Sequence, residues 1–344
     1  MKSLLNHSKP LSTIFFGGGT PSLMPPEIIS KIIDKSDTLF GFTNDVEITT
    51  EANPTSVDAQ NLSSFQNSGV NRISIGVQSL NDEILAFLGR SHSSDDALRA
   101  LEKAQSIFDR ISIDLIYATP NQSVDEWQNI LRRALNLGLS HISLYQLTIE
   151  KGTFFYTRAK RGEIMTVDDD RAATLYEITN EITEEADLLA YEISNHAIPG
   201  EECRHNLNYW RGGDWLGIGP GAYGRFTQLS TKRVLSRNNI STRRKPESWL
   251  KSVQKIGHGI EIHQKESVLD WAKELVMMGL RLNEGINIQE IEKKCGKRNK
   301  WLSPSGLLEA IERKWLVQNF ENNNIKATNA GRLVLNTILE KILL

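Results

Sequence analysis

The sequence predicts an α/β protein: a parallel sheet covered by helices and arranged as a barrel or partial barrel, followed by a small α+β module. Three observations carry that expectation. Short β-branched runs alternate with amphipathic helical patterns through the first half, polar residues recur where those runs end, and the alternation stops near Lys151.

The strand candidates are Thr13–Phe16, Val46–Glu51, Arg72–Val77, Ile111–Tyr117 and His141–Leu147. Between them, Ile28, Ile29, Ile32 and Ile33 recur on one helical face, as do Leu98, Leu101, Ala104 and Phe108, and then Trp127, Ile130, Leu131, Ala134 and Leu135. Five strand–helix units in a row favour a barrel over a bundle. In a barrel, ligands meet the C-terminal ends of the strands. Polar residues fall there: Gly17–Thr20 after the first run, Glu51 and Asn53 at the second, Gln78 and Ser79 after the third, and Asp114 inside the fourth. Singly, each is explained by a loop or a cap; four in phase are not.

The bulk properties exclude several classes. In 344 residues, 39% hydrophobic and 24% charged residues describe an ordinary globular chain, and a net charge of −2 provides no field for nucleic acid or anionic lipid. No apolar run is long enough for a membrane span or a signal peptide. Cys203 and Cys295 lie too far apart in sequence for a metal-type pair, so the expectation is a reduced, cytoplasmic protein.

Beyond Lys151 the expectation is a long helix over Asp168–Ala186, an extended segment at Tyr191–Ser194, and a His-, Gly- and Trp-rich loop from His196 to Gly224. The run Arg225–Lys255, with Arg233, Arg237, Arg243, Arg244 and Lys245, reads as a solvated connector or as a patch for an acidic partner. From Ser267 helices lead to a strand, a turn at Asn322–Asn324, a strand and a final helix, the pattern of a winged-helix-like module. With 13 basic and 10 acidic residues from Lys265 on, packing or protein contact suits this module better than DNA. The domains expected are 1–225, a connector at 226–264, and 265–344.

The turn Gly17–Gly18–Gly19–Thr20 is neither a P-loop nor G-x-G-x-x-G, because no Gly-Lys-Ser/Thr follows and Ser22 takes the last glycine position. Its free backbone N–H groups suit a phosphate, a carboxylate or a sugar hydroxyl. GGGTPS, EANP, RISIGVQS, LGRSH and IDLIYATP, in that order, resemble the radical S-adenosylmethionine superfamily, and within it the branch of oxygen-independent coproporphyrinogen oxidases and HemW-type haem chaperones. The resemblance runs from about Ile14 to Gly224, with a family-like small domain after it. It implies a partial (β/α) barrel of radical SAM type.

The resemblance also implies that Gly18, Gly19 and Thr20 line the methionine side of an S-adenosylmethionine site, with Glu51, Gln78, Arg90 and Asp114 as further contacts. Carboxylates suit an ammonium or ribose hydroxyls, and an arginine suits a carboxylate. The alternatives are a buried, satisfied carboxylate for Asp114 and a surface ion pair for Arg90. HNLNYW (His205, Asn206, Tyr209, Trp210) matches the H-N-x-x-Y-W of HemW-type proteins, a motif associated with haem. Imidazole ligates iron and aromatic rings face a porphyrin; the competing reading is that His205 and Trp210 only pack locally. Cys203 is a further candidate haem ligand, and GDWLGIGPGAYGRF is expected to bring Ala222 and Tyr223 near the ligand pocket.

Members of this family hold a [4Fe–4S] cluster with C-x-x-x-C-x-x-C before the GGGTP strand, and the cluster supplies the electron that cleaves S-adenosylmethionine. This sequence has no such motif, and sixteen residues precede Gly17. The expectation is therefore a barrel lacking its first strand and cluster loop, not catalytically competent alone. Either the natural protein is longer, or the gene is shortened, or a shortened form keeps a binding role. The function expected is haem binding and delivery, with haem or porphyrin and haem-accepting proteins as partners. The alternative is oxygen-independent coproporphyrinogen III oxidase, a radical decarboxylase of porphyrin synthesis.

Overall fold

The computed structural model describes residue 5 and residues 9–56, 59–229, 235–319 and 321–344; Arg233 of the basic run lies outside them. The chain forms two compact units, Leu11–Arg204 and a second that contains His205–Leu344.

The first unit is a curled parallel half-barrel. β1 (Leu11–Phe16), β2 (Phe42–Ala52), β3 (Arg72–Gln78), β4 (Arg110–Tyr117) and β5 (His141–Gln146) pair in sequence order, all parallel. Parallel neighbours need long crossovers, and helices fill them: α1 (Pro26–Phe40), α2 (Ala59–Asn67), α3 (Asp82–Phe87), α4 (Ser94–Gln105) and α5 (Val124–Leu135). α6 (Phe154–Lys160) and α7 (Asp169–Glu185) follow β5. The helix ends are written locally. Pro26 opens α1 and Gly41, at φ 72°, closes it; Ser93 and Asp96 form a reciprocal capping box on α4; Asp168 caps α7.

Side chains alternate across the sheet. Ile73, Ile75, Ile113, Leu115, Ile142 and Leu144 join Ile29, Leu62, Leu101, Trp127 and Leu131 in one core. Each such burial contributes roughly 1.5–3 kcal/mol. Trp127 stacks on Tyr117 at 4.9 Å and donates its indole N–H to Thr179 Oγ1 at 2.8 Å, which fastens α5 to α7. The other face is polar. Glu51, Ser74, Ser112 and His141 lie in register across four strands, and Asp114 lies opposite Ser143.

The extended segment expected at Tyr191–Ser194 is instead the turn of a hairpin. β6 (Leu189–Ala190) and β7 (Asn195–Ala197) flank it, with β7 antiparallel to β5. Tyr191 is turned back to the sheet, where its Oη lies 3.0 Å from His141 Nε2.

α8 (Arg204–Trp210) begins at the last residue of the half-barrel unit. In the second unit, β8 (Tyr223–Leu229), β9 (Leu235–Thr242) and β10 (Ile260–Lys265) form an antiparallel sheet in the order β10-β9-β8, and α9 (Pro246–Ile256) connects β9 to β10. The described residues of 226–264 are thus a folded layer and not a solvated connector. Buried Arg237 is ion-paired to Asp214 at 2.6 Å, and Arg225 is paired to Glu266 at 3.1 Å and Glu274 at 3.2 Å.

α10 (Val268–Gly279), β11 (Ile286–Asn287), α11 (Ile288–Cys295), α12 (Pro304–Glu312), β12 (Leu316–Asn319) and β13 (Asn324–Ala327) follow, with strand order β11-β13-β12. Three helices and a three-stranded sheet ending in a hairpin are the expected winged-helix arrangement. Two helices, α13 (Asn329–Leu333) and α14 (Leu335–Ile342), close the chain. Among the described residues no helix is long and apolar enough to cross a membrane.

Candidate functional site

The C-terminal ends of β1 to β4 place most of the expected residues together. After Phe16 the chain enters the turn Gly17–Thr20, all of it exposed. Gly18 (φ 79°) and Gly19 (φ 63°) adopt the left-handed conformation that L side chains disfavour, and the space where a Cβ would stand is open at both. That opening is a cradle in which only backbone faces a ligand. The Gly18 N–H donates to Glu51 Oε2 at 3.2 Å, tying the turn to the end of β2.

Burial pushes the Glu51 carboxyl above its ordinary range, with the Gly18 amide acting the other way. Asp114 on β4 is raised further, to about 6; burial is the main cause and the negative charge of Glu51 adds to it, against hydrogen bonds from Ser143 and Ser74 and the positive charge of Arg72. Neither carboxylate has an ion-pair partner among the described residues, so both retain electrostatic capacity for a positive or hydroxyl-bearing ligand.

Gln78 closes β3 after a bulge and is itself left-handed, at φ 68°. Its amide folds back over Gly76, where a Cβ would come within 2.8 Å of Nε2. A strained glutamine over a glycine at a strand end is costly backbone that function commonly retains. Arg90, past the end of α3, is exposed, and its guanidinium forms no ion pair among the described residues; the surface ion pair considered for it is not present. Sequence reasoning missed Ser74 and Ser143, the hydroxyls beside Asp114. Their signal was the alternation in RISIGVQ and HISLYQ, which places both on the polar face.

The opposite end of the strands is saturated. Arg110 Nη1 donates to Glu47 Oε2 at 2.7 Å and Nε to Glu201 Oε2 at 3.0 Å, and Arg204 pairs with Asp45 at 2.6 Å. Cys203, proposed above as an iron ligand, is 1% exposed in this cluster, with Sγ 3.6 Å from Glu47 Oε1. It is a packed thiol turned into the half-barrel and does not present itself as an open ligand.

His205 and Tyr209, one helical turn apart on α8, are both half-exposed. His205 Nε2 lies 2.9 Å from Tyr209 Oη, and the rings meet edge to face at 4.7 Å. Asn206 is half-exposed on the same helix, and Trp210 lies under the Arg281 guanidinium at 4.5 Å. Trp215, outside the motif, meets Tyr209 edge to face at 4.7 Å. Ala222 and Tyr223 belong to the second unit, at the start of β8. There the Ala222 N–H donates to Thr242 Oγ1 at 2.9 Å and Tyr223 Oη accepts from Arg244 at 3.1 Å.

Comparison with known proteins gives the family and the fold. The Radical SAM superfamily profile matches residues 1–134, and the HemN C-terminal domain profile matches residues 267–334. The heme chaperone HemW of Escherichia coli is 36% identical over 97% of this chain and 84% of that protein. The chain belongs to the radical S-adenosylmethionine superfamily, in its HemW-like branch. The mitochondrial radical S-adenosyl methionine domain-containing protein 1 of Bos taurus is also 36% identical, over 97% of this chain and 76% of that protein. Among solved structures, coproporphyrinogen III oxidase (HemN) from Escherichia coli shares the fold, with a TM-score of 0.77 at 19% identity, covering 96% of this chain and 77% of that one.

Two groups follow from membership of this superfamily, and they fit this chain differently. The glycine cradle and the unpaired, raised carboxylates suit S-adenosylmethionine. The residues of this sequence do not fit a [4Fe–4S] cluster. Its two cysteines are buried in different units, and among the described residues no three His, Cys, Asp or Glu side chains converge as a metal site.

Proposed function

We propose that the protein binds haem through α8 and passes it on, with S-adenosylmethionine held at the carboxyl end of the half-barrel. The observation that carries this reading is the His205–Tyr209 pair: a half-exposed imidazole, oriented by a phenol, with Asn206 and Trp210 on the same short helix. Imidazole is a good axial ligand for haem iron, and aromatic side chains offer apolar faces to a porphyrin. The relatives named heme chaperone HemW support it.

At the half-barrel, the backbone of Gly18, Gly19 and Thr20 would receive the methionine carboxylate, assisted by Arg90. Glu51 and Asp114 would take the ammonium and ribose hydroxyls, and the Gln78 amide would complete the ring. The residues present do not hold a cluster that could feed electrons to this site. The oxidase alternative needs one, and no observation favours it. Cys203 and Cys295 form no disulfide, which suits a reducing compartment such as the cytoplasm.

Titration with ferric haem tests the reading. The expected result is a shifted Soret band whose affinity falls at least tenfold in His205→Ala. An unshifted band in the unaltered protein would overturn it.

A further inference from the structure

The imidazole on α8 is held by more than its motif. Tyr209, which contacts His205 Nε2, is itself met edge to face by Trp215 at 4.7 Å and an interplanar angle of 87°. Trp215 has little freedom. Its backbone exchanges two hydrogen bonds with Arg225, at 2.7 and 2.9 Å, and its ring lies under two guanidinium groups, Arg225 at 5.8 Å and Arg237 at 5.5 Å. Both arginines are fixed in turn. Arg237, 1% exposed, donates to Asp214 Oδ1 at 2.6 Å and to the Gly213 carbonyl at 2.9 Å, and it faces Glu274 at 3.5 Å. Arg225 pairs with Glu266 and Glu274.

The loop bearing Trp215 is tightly packed as well. A Cβ on Gly213 would fall 2.0 Å from Asn208 Oδ1, and one on Gly217 would fall 2.0 Å from the Tyr223 carbonyl oxygen. A buried cation such as Arg237 is expensive unless paired; its two Nη groups carry that pairing, while the buried Nε has no hydrogen-bond partner among the described residues. Here the pairing places positive charge against one indole, and that indole stands against the tyrosine that touches the histidine. Cation–π and edge-to-face contacts are directional and fix the orientation of the rings they join.

We propose that Trp215 is a positioning residue for the haem-binding imidazole, acting through Tyr209 and held rigid by Arg225 and Arg237. The inference rests on the haem-binding reading of His205 and adds to it three residues outside HNLNYW. With Tyr209 on Nε2, the positioning role applies to iron taken at Nδ1; loss of a group that orients a metal-ligating histidine through its other nitrogen commonly costs 10–100-fold in affinity.

The test is a double-mutant cycle on ferric-haem affinity, with the Soret maximum and the electron paramagnetic resonance g values of the complex as spectroscopic readouts. Trp215→Leu and Tyr209→Phe should each weaken binding about tenfold and alter the same spectral features. The double variant should be little worse than either single one, because both act along one path. Trp215→Phe keeps an aromatic edge and should recover most of the affinity; it also serves if Trp215→Leu does not fold.

Additive losses, or a Trp215→Leu protein with unchanged affinity and spectra, would overturn the inference and leave the haem reading intact. Failure of the unaltered protein to bind haem would overturn both.

Discussion

The two ends of the parallel sheet carry the same kinds of charged residue in opposite electrostatic states. At the amino-terminal end, buried Glu47 meets Arg110 at 2.7 Å, Arg110 also meets Glu201, and Arg204 meets Asp45. At the carboxyl end, Glu51 and Asp114 meet hydroxyls and an amide but form no ion pair among the described residues, and burial raises both. The left-handed Gln78 and Ala118 stand at the carboxyl ends of β3 and β4. Paired charge locks a fold, while unpaired charge and strained backbone on a rigid frame make a place for a ligand.

The largest effect should come from breaking the saturated end. Arg110→Met leaves Glu47 buried without its main partner, and urea denaturation should show a loss of about 3 kcal/mol or more. Burial works against the Arg110 charge, but the carboxylates of Glu47 and Glu201 outweigh it. A loss below about 1 kcal/mol would mean that the two ends are not so different.

The unsaturated end should respond in the opposite sense. The Asp114 carboxyl is at about 6 in the folded chain against an ordinary 3.8, so between those values the native state binds more protons than the unfolded one. The penalty is fully present above pH 6 and is relieved as pH falls towards 4. Asp114→Asn should therefore stabilise the protein near pH 7, by on the order of 2 kcal/mol, and flatten this part of the stability–pH curve. Destabilisation by Asn would place Asp114 among the structural residues.

A smaller effect is expected at the cradle. Gly19→Val forces a β-branched residue into a left-handed turn at a cost of about 1–2 kcal/mol. The space around it is open, so calorimetry should register that strain alone, together with weaker S-adenosylmethionine binding.

Much of this was legible in the sequence, for a physical reason. Three of the parallel strands, β3 to β5, each bury an apolar face, so Ile73, Ile75, Ile113, Leu115 and Leu144 announce them, and the polar residues at the strand ends mark the candidate site. β8 to β10 announce nothing of the kind. β9 buries Arg237 and Asn238, and β10 is exposed along most of its length. A strand stabilised by ion pairs looks like a connector when only hydrophobic period is read. Trp215 lay inside the quoted GDWLGIGPGAYGRF, but its role was not legible for a related reason: its partners, Tyr209, Arg225 and Arg237, come together only in the folded layer.

The central claim is a division of labour, with haem taken at α8 and the unsaturated end of the half-barrel reserved for another ligand. Ferric-haem titration of His205→Ala and Asp114→Asn side by side tests it most directly. The account predicts that His205→Ala loses at least tenfold in haem affinity while Asp114→Asn binds haem as the unaltered protein does. Equal loss in both variants, or loss only in Asp114→Asn, would contradict it.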